Sequence, residues 1–159
     1  MKAGIIGYGS MGKMLLWKFS GSGRFAPGGL LVANRTKGKL EEAKDIAVIC
    51  DNGTLASEAD IVFVCVRPAD MKSVLEEIGP GLKSDALLVT LNGSITFDMI
   101  KKVIDHKTAK VIPSLTAEID RSQTIVCFNE LVTDSDKNNL RDLLGTIGEV
   151  ISLHHLSGL

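Results

Sequence analysis

The chain has 159 residues, of which 45% are hydrophobic and 23% are charged, and its formal net charge is -1 at pH 7. These values are typical of one globular domain with a sizeable core. The near-zero charge excludes a field that would draw nucleic acid or an acidic membrane, and aromatic residues, at 4%, are too few for base-stacking platforms. We therefore expect neither a nucleic-acid partner nor a membrane partner, and any anion must be recognised locally.

Apolar runs of strand length alternate with helical periods along the whole chain. In chain order, the predicted strands cover residues 2–6, 30–33, 46–50, 61–66, 86–91, 110–112, 124–128 and 149–152. The predicted helices cover residues from about 10 to 20, 36–44, 68–78, from about 97 to 104, and from the cap Thr133 to about Ile147. Regular alternation of this kind implies parallel strands joined by right-handed crossovers. The predicted fold class is therefore α/β, a Rossmann-type doubly wound, mostly parallel sheet with helices on both faces, formed by residues 1–152.

The first predicted strand runs directly into a G-x-G-x-x-G turn formed by Gly7, Gly9 and Gly12. In such a turn the first glycine permits a tight bend, the second lets the backbone approach a diphosphate, and the third lets the helix pack closely on the strand. The helix that begins near Ser10 directs its unpaired N–H groups toward an anion. The position of the motif at the first βα junction predicts a dinucleotide cofactor, and a purely structural turn is the alternative.

The end of the second predicted strand indicates which dinucleotide is bound. An acidic residue there would hydrogen-bond the adenosine ribose of NAD, but this chain has the uncharged Asn34. Arg35 can bind phosphate oxygens with its planar fork, Thr36 offers a hydroxyl, and Lys37 and Lys39 add positive charge. The sequence therefore predicts NADP as the cofactor. The alternative is a helix-capping loop with a solvated arginine, and the two roles are compatible.

Ligands of open α/β sheets lie beyond the carboxyl ends of the strands, which directs attention to the residues that follow the later strands. Asn52 is a candidate for the adenosine-side ribose. Val66, Arg67 and Pro68 are candidates for a wall beside the nicotinamide ribose. Each position also has an ordinary structural reading: residues 52–53 as a turn, Pro68 as a helix start and residues 92–93 as a tight loop.

Six segments together resemble one enzyme family, the Δ1-pyrroline-5-carboxylate reductases, which reduce a cyclic imine to proline with NADPH. The segments are the glycine turn at residues 4–12, residues 34–36, residues 51–52, residues 60–68 (similar to D-hydrophobic-(V/I)-K-P), residues 91–96 (in place of A-G-(V/I)-T) and residues 110–117 (similar to R-V-M-P-N-x-P-A). The resemblance covers nearly the whole chain.

The resemblance implies a set of cofactor-binding residues. They are Ile6, Gly7, Tyr8, Gly9, Ser10, Met11, Gly12, Asn34, Arg35, Thr36, Asn52, Cys65, Val66, Arg67, Pro68 and Asn92. Four positions depart from the family pattern: Arg67 replaces lysine, Asn92 alanine, Ser114 asparagine and Thr116 proline. The last three belong to the nicotinamide and substrate end of the site. The resemblance therefore supports the identity of the cofactor more directly than that of the substrate.

The family also has a second, all-helical domain that makes the dimer and supplies much of the substrate pocket. The chain ends at Leu159, where that domain begins in the family. Residues 153–159 are accordingly expected to be a chain end or the start of that domain, in a truncated chain or a natural short relative. A homodimer or higher oligomer is expected if the second domain is present, and the 159 residues alone are expected to lack a complete active site.

The residues themselves nominate no catalytic group and no metal site. His106 is expected to be solvated in a polar stretch at a helix end, and His154 and His155 to be chain-end residues rather than ligands. The three cysteines are read as buried, reduced thiols of a cytoplasmic protein, since they form no C-x-x-C pair.

Three hypotheses of function remain, and all of them predict NADP binding. The first is the NADPH-binding domain of an imine reductase. The second is an NADP-dependent oxidoreductase with another imine or carbonyl substrate, similar to F420-dependent NADP reductases or β-hydroxyacid dehydrogenases. The third is a non-catalytic NADP-binding regulatory module.

Overall fold

The structure is a computed structural model that describes residues 1–113 and 122–153. The strands are β1 (Ala3–Ile6), β2 (Leu30–Ala33), β3 (Val48–Ile49), β4 (Ile61–Val64), β5 (Leu87–Thr90), β6 (Thr108–Ile112), β7 (Ser122–Phe128) and β8 (Gly148–Ser152). The helices are α1 (Ser10–Gly21), α2 (Asn52–Glu58), α3 (Pro68–Ile78), α4 (Phe97–Lys101) and α5 (Asp134–Leu144), with 3₁₀ helices at Lys37–Ala43 and Gly79–Gly81.

The described strands form one sheet in the order β3-β2-β1-β4-β5-β6-β7-β8. The strand order reverses between β1 and β4, which are neighbours in the sheet but not in the chain. Every neighbouring pair is parallel except β6 and β7. This topology confirms the predicted Rossmann-type doubly wound sheet, and it places a crevice beyond the carboxyl ends of β1 and β4.

Among the described strands the predicted mostly parallel sheet has one antiparallel pair, since β7 runs antiparallel to β6. Only residues 113–121 separate the two strands. Two parallel neighbouring strands need a crossover connection of a dozen or more residues, whereas two antiparallel strands can be joined by a shorter connection. The later pair, β7 and β8, has α5 between its strands and is parallel again.

The sheet separates two hydrophobic cores because successive side chains of a strand point to opposite faces. Ala3 and Ile5 pack in the core that contains Phe19 of α1 and Leu140 of α5. Ile6 packs on the other side, in the core built on α2, α3 and α4. The four strands β1, β2, β4 and β5 are buried along their whole length, as expected for a parallel sheet covered on both faces.

Two predicted helices have the caps and faces that their sequences indicate. In α5 the Thr133 hydroxyl accepts from the Asp136 N–H, and the Asp136 carboxylate accepts from the Thr133 N–H, which completes a capping box. In α3 the apolar stripe Met71, Val74, Leu75 and Ile78 is buried. Both predictions are confirmed.

Other elements differ from the predictions. Residues 52–53, for which a turn was the structural alternative, instead begin α2. The N-cap of α2 is Asp51, whose carboxylate accepts from the Thr54 N–H at 2.7 Å. The segment at residues 36–44 forms a 3₁₀ helix, α4 stops at Lys101, and β3, an exposed edge strand, has two residues rather than five. These segments are short, so neighbouring elements rather than periodicity decide their ends.

None of the described helices combines the length and the apolar character that a membrane crossing requires. The predictions for Ser114, Thr116, His154 and His155 lie outside the described residues.

Candidate functional site

A cleft of about 730 Å³ lies beyond the carboxyl ends of β1, β2 and β4, where the strand order reverses. Its size is that of a small-molecule or cofactor pocket. It is lined by Ile6, Gly7, Tyr8, Gly9, Ala33, Asn34, Arg35, Thr36, Lys37, Lys39, Cys50, Asp51, Asn52, Cys65, Val66, Arg67, Asp70, Ser73, Val74 and Glu77. The structure therefore brings together eleven of the sixteen residues predicted to bind a cofactor.

The three glycines of the turn have distinct geometries. Gly7 has a φ of 97°, a conformation that side chains disfavour, and a Cβ there would also press on the Cys65 carbonyl. A Cβ on Gly12 would overlap the carbonyl oxygen of Gly7, so α1 packs directly on the turn. A Cβ on Gly9 would meet no atom within 4 Å. Gly9 thus leaves open space in the cleft that a bound group could occupy.

The amino terminus of α1 is left without a side-chain cap. Gly9 is the N-cap residue, and the first turn contains no acidic side chain. Among the α-helices of residues 1–113 and 122–153, α1 alone lacks both a capping side chain and a first-turn carboxylate. The first backbone N–H groups of a helix have no partner within it, so this end of α1 is suited to an anion.

Side-chain hydrogen bonds hold the glycine turn in place from two sides. The Tyr8 N–H donates to Asn34 Oδ1 at 3.0 Å, which ties the turn to the end of β2. The Tyr8 hydroxyl donates to Glu42 Oε1 and accepts from Trp17 Nε1–H, both at 2.8 Å. Lys13 pairs with the same carboxylate at 2.8 Å. Burial raises the Tyr8 pKa, the hydrogen bond from Trp17 acts to lower it, and the Glu42 carboxylate adds to the rise, so the pKa is raised. The neutral hydroxyl therefore persists and the turn is preorganised.

Two arginines meet across the cleft at one carboxylate. Arg35, which follows β2, donates to Asp70 Oδ1 at 3.3 Å, and Arg67, which follows β4, donates to Asp70 Oδ2 at 3.4 Å. The arginine side chains are 76% and 82% exposed. Exposed ion pairs of this kind are weak, so both guanidinium groups remain available to a stronger anion.

One face of α3 forms a wall of the cleft that sequence reasoning missed. Asp70, Ser73, Val74 and Glu77 line it. Their spacing is i, i+3, i+4, i+7, which is also the spacing of the buried stripe. Three of the four residues are polar, however, so the apolar periodicity of the sequence does not identify them. Glu77 accepts a hydrogen bond from the Asn52 amide at 3.1 Å.

All three cysteines were predicted to be buried, but the structure buries only Cys127. Cys50 and Cys65 are half-buried and line the cleft, whereas Cys127 is buried, and all three are free thiols. Burial raises the pKa of Cys65 to about 12, and burial followed by the charge of Asp51 raises that of Cys50. Both thiols are therefore neutral near pH 7 and are poor nucleophiles.

Five predicted residues do not line the cleft: Ser10, Met11, Gly12, Pro68 and Asn92. The first three form the opening turn of α1, Pro68 begins α3, and the Asn92 carboxamide accepts from the Ser94 N–H and hydroxyl. A cofactor contact at these positions stays a prediction.

The prediction that His106 is solvated is wrong. Its ring is half-buried, and Nε2 lies in hydrogen-bond contact with the Ala86 carbonyl oxygen. This contact joins the end of the α4 segment to the start of β5, which is a structural role. Within residues 1–113 and 122–153, no three His, Cys, Asp or Glu side chains gather in a way that would hold a metal ion.

Comparison with known proteins identifies the family. Residues 2–93 match the family model described as NADP oxidoreductase coenzyme F420-dependent. The chain is 31% identical over 153 residues to the pyrroline-5-carboxylate reductase of Escherichia coli (strain K12), covering 93% of the chain and 57% of that enzyme. It is 28% identical over 157 residues to ComE operon protein 4 of Bacillus subtilis (strain 168), covering 96% of the chain and 58% of that protein.

The fold comparison agrees with these matches. The crystal structure of Plasmodium falciparum pyrroline carboxylate reductase with NADP bound superposes with a TM-score of 0.87 at 24% identity, over 97% of this chain and 58% of that one. The chain thus spans a little more than half the length of the relatives it matches.

These findings confirm the resemblance to pyrroline-5-carboxylate reductases, and the family's description confirms the prediction of NADP as the cofactor class. With more than half of its residues matched by the family model, the chain belongs to the NADP oxidoreductase coenzyme F420-dependent family.

Proposed function

We propose that residues 1–152 form the NADPH-binding domain of an imine reductase that resembles pyrroline-5-carboxylate reductase. In this function a hydride passes from NADPH to a cyclic imine, as in proline biosynthesis. The observation that carries the proposal is the preformed cleft between an uncapped helix end at Gly9 and the guanidinium of Arg35. The names of the relatives support the imine as substrate.

The described residues fit a dinucleotide carrying a 2′-phosphate. Gly9 leaves the space that a diphosphate requires, and the free end of α1 offers N–H donors to it. Arg35 and Thr36 would hold the 2′-phosphate, with Lys37 and Lys39 adding positive charge along the same side of the cleft. Asn52 would meet the adenosine-side ribose, and Val66 and Arg67 would form the wall beside the nicotinamide-side ribose.

Bound NADPH supplies the hydride, and the chain's own residues supply binding and orientation. The hydrogen bonds of Tyr8 hold the turn in one conformation before any ligand arrives, which reduces the entropy lost on binding. We assign no proton donor, since the neutral Cys65 thiol is too weak an acid at its raised pKa.

Titration calorimetry of the chain with NADPH and NADH tests the cofactor assignment. We expect NADPH to bind between about fivefold and about 150-fold more tightly than NADH, because an added charge-assisted contact contributes about 1–3 kcal/mol. Equal affinities would contradict the assignment of the 2′-phosphate. The substrate is tested separately by NADPH oxidation with pyrroline-5-carboxylate, where binding without turnover would favour a regulatory module.

A second candidate function keeps the cofactor and exchanges the substrate for coenzyme F420. The description of the matched family favours it. Reduction of NADP by reduced coenzyme F420, followed at the nicotinamide absorbance, distinguishes the two reactions.

A further inference from the structure

Lys110 is an unusual residue because it is a lysine in the interior of the sheet. It belongs to β6, and only 1% of its surface is exposed. It lies on the opposite face from its neighbours Ala109 and Val111, which pack in the core with α1 and α5. Within the described part of the chain, no hydrogen-bond partner reaches its Nζ atom.

A second unpartnered polar atom lies beside it. Thr90, the last residue of β5, is the register partner of Lys110 in the neighbouring strand, so the two side chains lie on the same face. Thr90 is fully buried, and its Oγ1 atom also lacks a hydrogen-bond partner among the described residues. Polar atoms buried in this way are ordinarily hydrogen-bonded, and the few that are not require an explanation.

The residue on the other side of Lys110 does not supply a counter-charge. Cys127 in β7 is its antiparallel partner and is 5% exposed. Burial raises the pKa of that thiol more than the nearby Lys110 ammonium lowers it. Burial also lowers the pKa of Lys110. Three adjacent strands thus present an amine, a hydroxyl and a neutral thiol on one face, and among residues 1–113 and 122–153 no carboxylate is bonded to the amine. An ammonium buried without a partner is costly.

We propose that Lys110 and Thr90 form a binding site for a small monovalent anion, either a halide or a carboxylate group. The anion accepts from the Lys110 ammonium and from the Thr90 hydroxyl, which satisfies both unpartnered atoms and the buried charge at once. One lysine balances one negative charge, so a divalent phosphate would be left under-compensated. The site lies between the carboxyl end of β5 and the middle of β6. Its two residues are not among those that line the NADP cleft, and it does not depend on NADP binding.

Thermal unfolding of the 159-residue chain tests this site, in a buffer free of halide and carboxylate, with sodium chloride and sodium acetate titrated separately. At about ten times the dissociation constant, either anion that binds should raise Tm by about 3–5 °C. Lys110→Met keeps the length of the side chain, removes the charge and should lose this rise. Lys72→Met, at a lysine that is 78% exposed, is the matched control and should respond as the unchanged chain does.

The responses to chloride and to acetate show which of the two kinds of anion the site binds. A Lys110-dependent response to chloride indicates a free halide, and one to acetate indicates the carboxylate of a ligand, so either response supports the site. Thr90→Val keeps the branched shape and should raise the half-effect concentration about tenfold, the loss expected for one hydrogen bond to a charged group. Identical responses of the unchanged chain and Lys110→Met would overturn the proposal. If Lys110→Met does not fold, an unchanged half-effect concentration in Thr90→Val overturns it.

Discussion

At the scale of single residues, Arg35 is the residue that we propose distinguishes NADPH from NADH. Arg35→Ala should weaken NADPH binding by about 1–3 kcal/mol, because a charge-assisted contact to the 2′-phosphate is lost, and should leave NADH binding nearly unchanged. Calorimetry with both cofactors measures the difference. Lys72→Met, an exposed change in the middle of α3 at a residue that does not line the cleft, serves as the control for net charge. Equal losses for both cofactors would mean that Arg35 does not recognise the phosphate.

Substitutions at Gly9 and Gly12 should affect different properties: the first mainly NADPH binding, the second mainly the stability of the fold. A Cβ at Gly9 would meet no protein atom within 4 Å, so Gly9→Val should cost only about 1 kcal/mol of stability, as a poorer N-cap. The added side chain should nevertheless obstruct the diphosphate and reduce NADPH affinity tenfold or more. Gly12→Ala overlaps a backbone oxygen that cannot rotate away, and should cost about 3 kcal/mol.

Urea unfolding and NADPH titration of both variants check this pair. Undiminished NADPH affinity in Gly9→Val would show that the glycine turn is purely structural. A Gly12→Ala variant as stable as the unchanged chain would contradict the close packing of α1 on the turn.

At the scale of elements, α5 is secured by the Asp136 carboxylate. It accepts from the Thr133 N–H and hydroxyl in the capping box and from Lys107 Nζ at 2.9 Å, where both members of the ion pair are about one-seventh exposed. Burial acts to raise the Asp136 pKa, but the hydrogen bonds from Lys107 and Thr133 outweigh it, so the pKa is lowered. Asp136 therefore joins α5 to the segment that leads into β6.

The lowered pKa determines the pH dependence of this contribution. A carboxylate whose folded pKa is below its ordinary value of 3.8 stabilises the fold above that pH and loses the contribution as the pH falls through the folded pKa. Asp136→Asn should cost about 1–3 kcal/mol at pH 7, and its difference from the unchanged chain should shrink below about pH 4. Urea unfolding from pH 7 to pH 2 measures it, with the exposed Asp134→Asn as control. A difference that is constant with pH would contradict the assignment.

At the scale of the whole molecule, the cleft joins segments that lie far apart in the chain: the turn after β1, the ends of β2 and β4, and one face of α3. A ligand that binds only when these segments are assembled stabilises the whole fold. NADPH at about 100 times its dissociation constant should add about 2.7 kcal/mol, or about 5–10 °C in Tm, and NADH at the same concentration should add less. Scanning calorimetry checks this expectation, and equal shifts with both cofactors would contradict it.

The sequence by itself determined the α/β class, the glycine turn, the residues after β2 and the cap of α5. These depend on local patterns, such as strand-length apolar runs, a glycine spacing and a capping threonine, each of which can be interpreted from a few neighbouring residues. The prediction of the cofactor rests on the same local evidence, because Gly7, Gly9 and Arg35 are each identified by their position relative to the end of a strand.

Only the tertiary structure decided the antiparallel course of β7, the link of Arg35 and Arg67 through Asp70, the Tyr8–Glu42–Trp17 contacts and the burial of Lys110. Most of these depend on which distant segments become neighbours. Lys110 shows the reason: in the sequence it is an ordinary polar residue within a short strand, and its charge becomes exceptional only when β5 and β7 close over it on both sides.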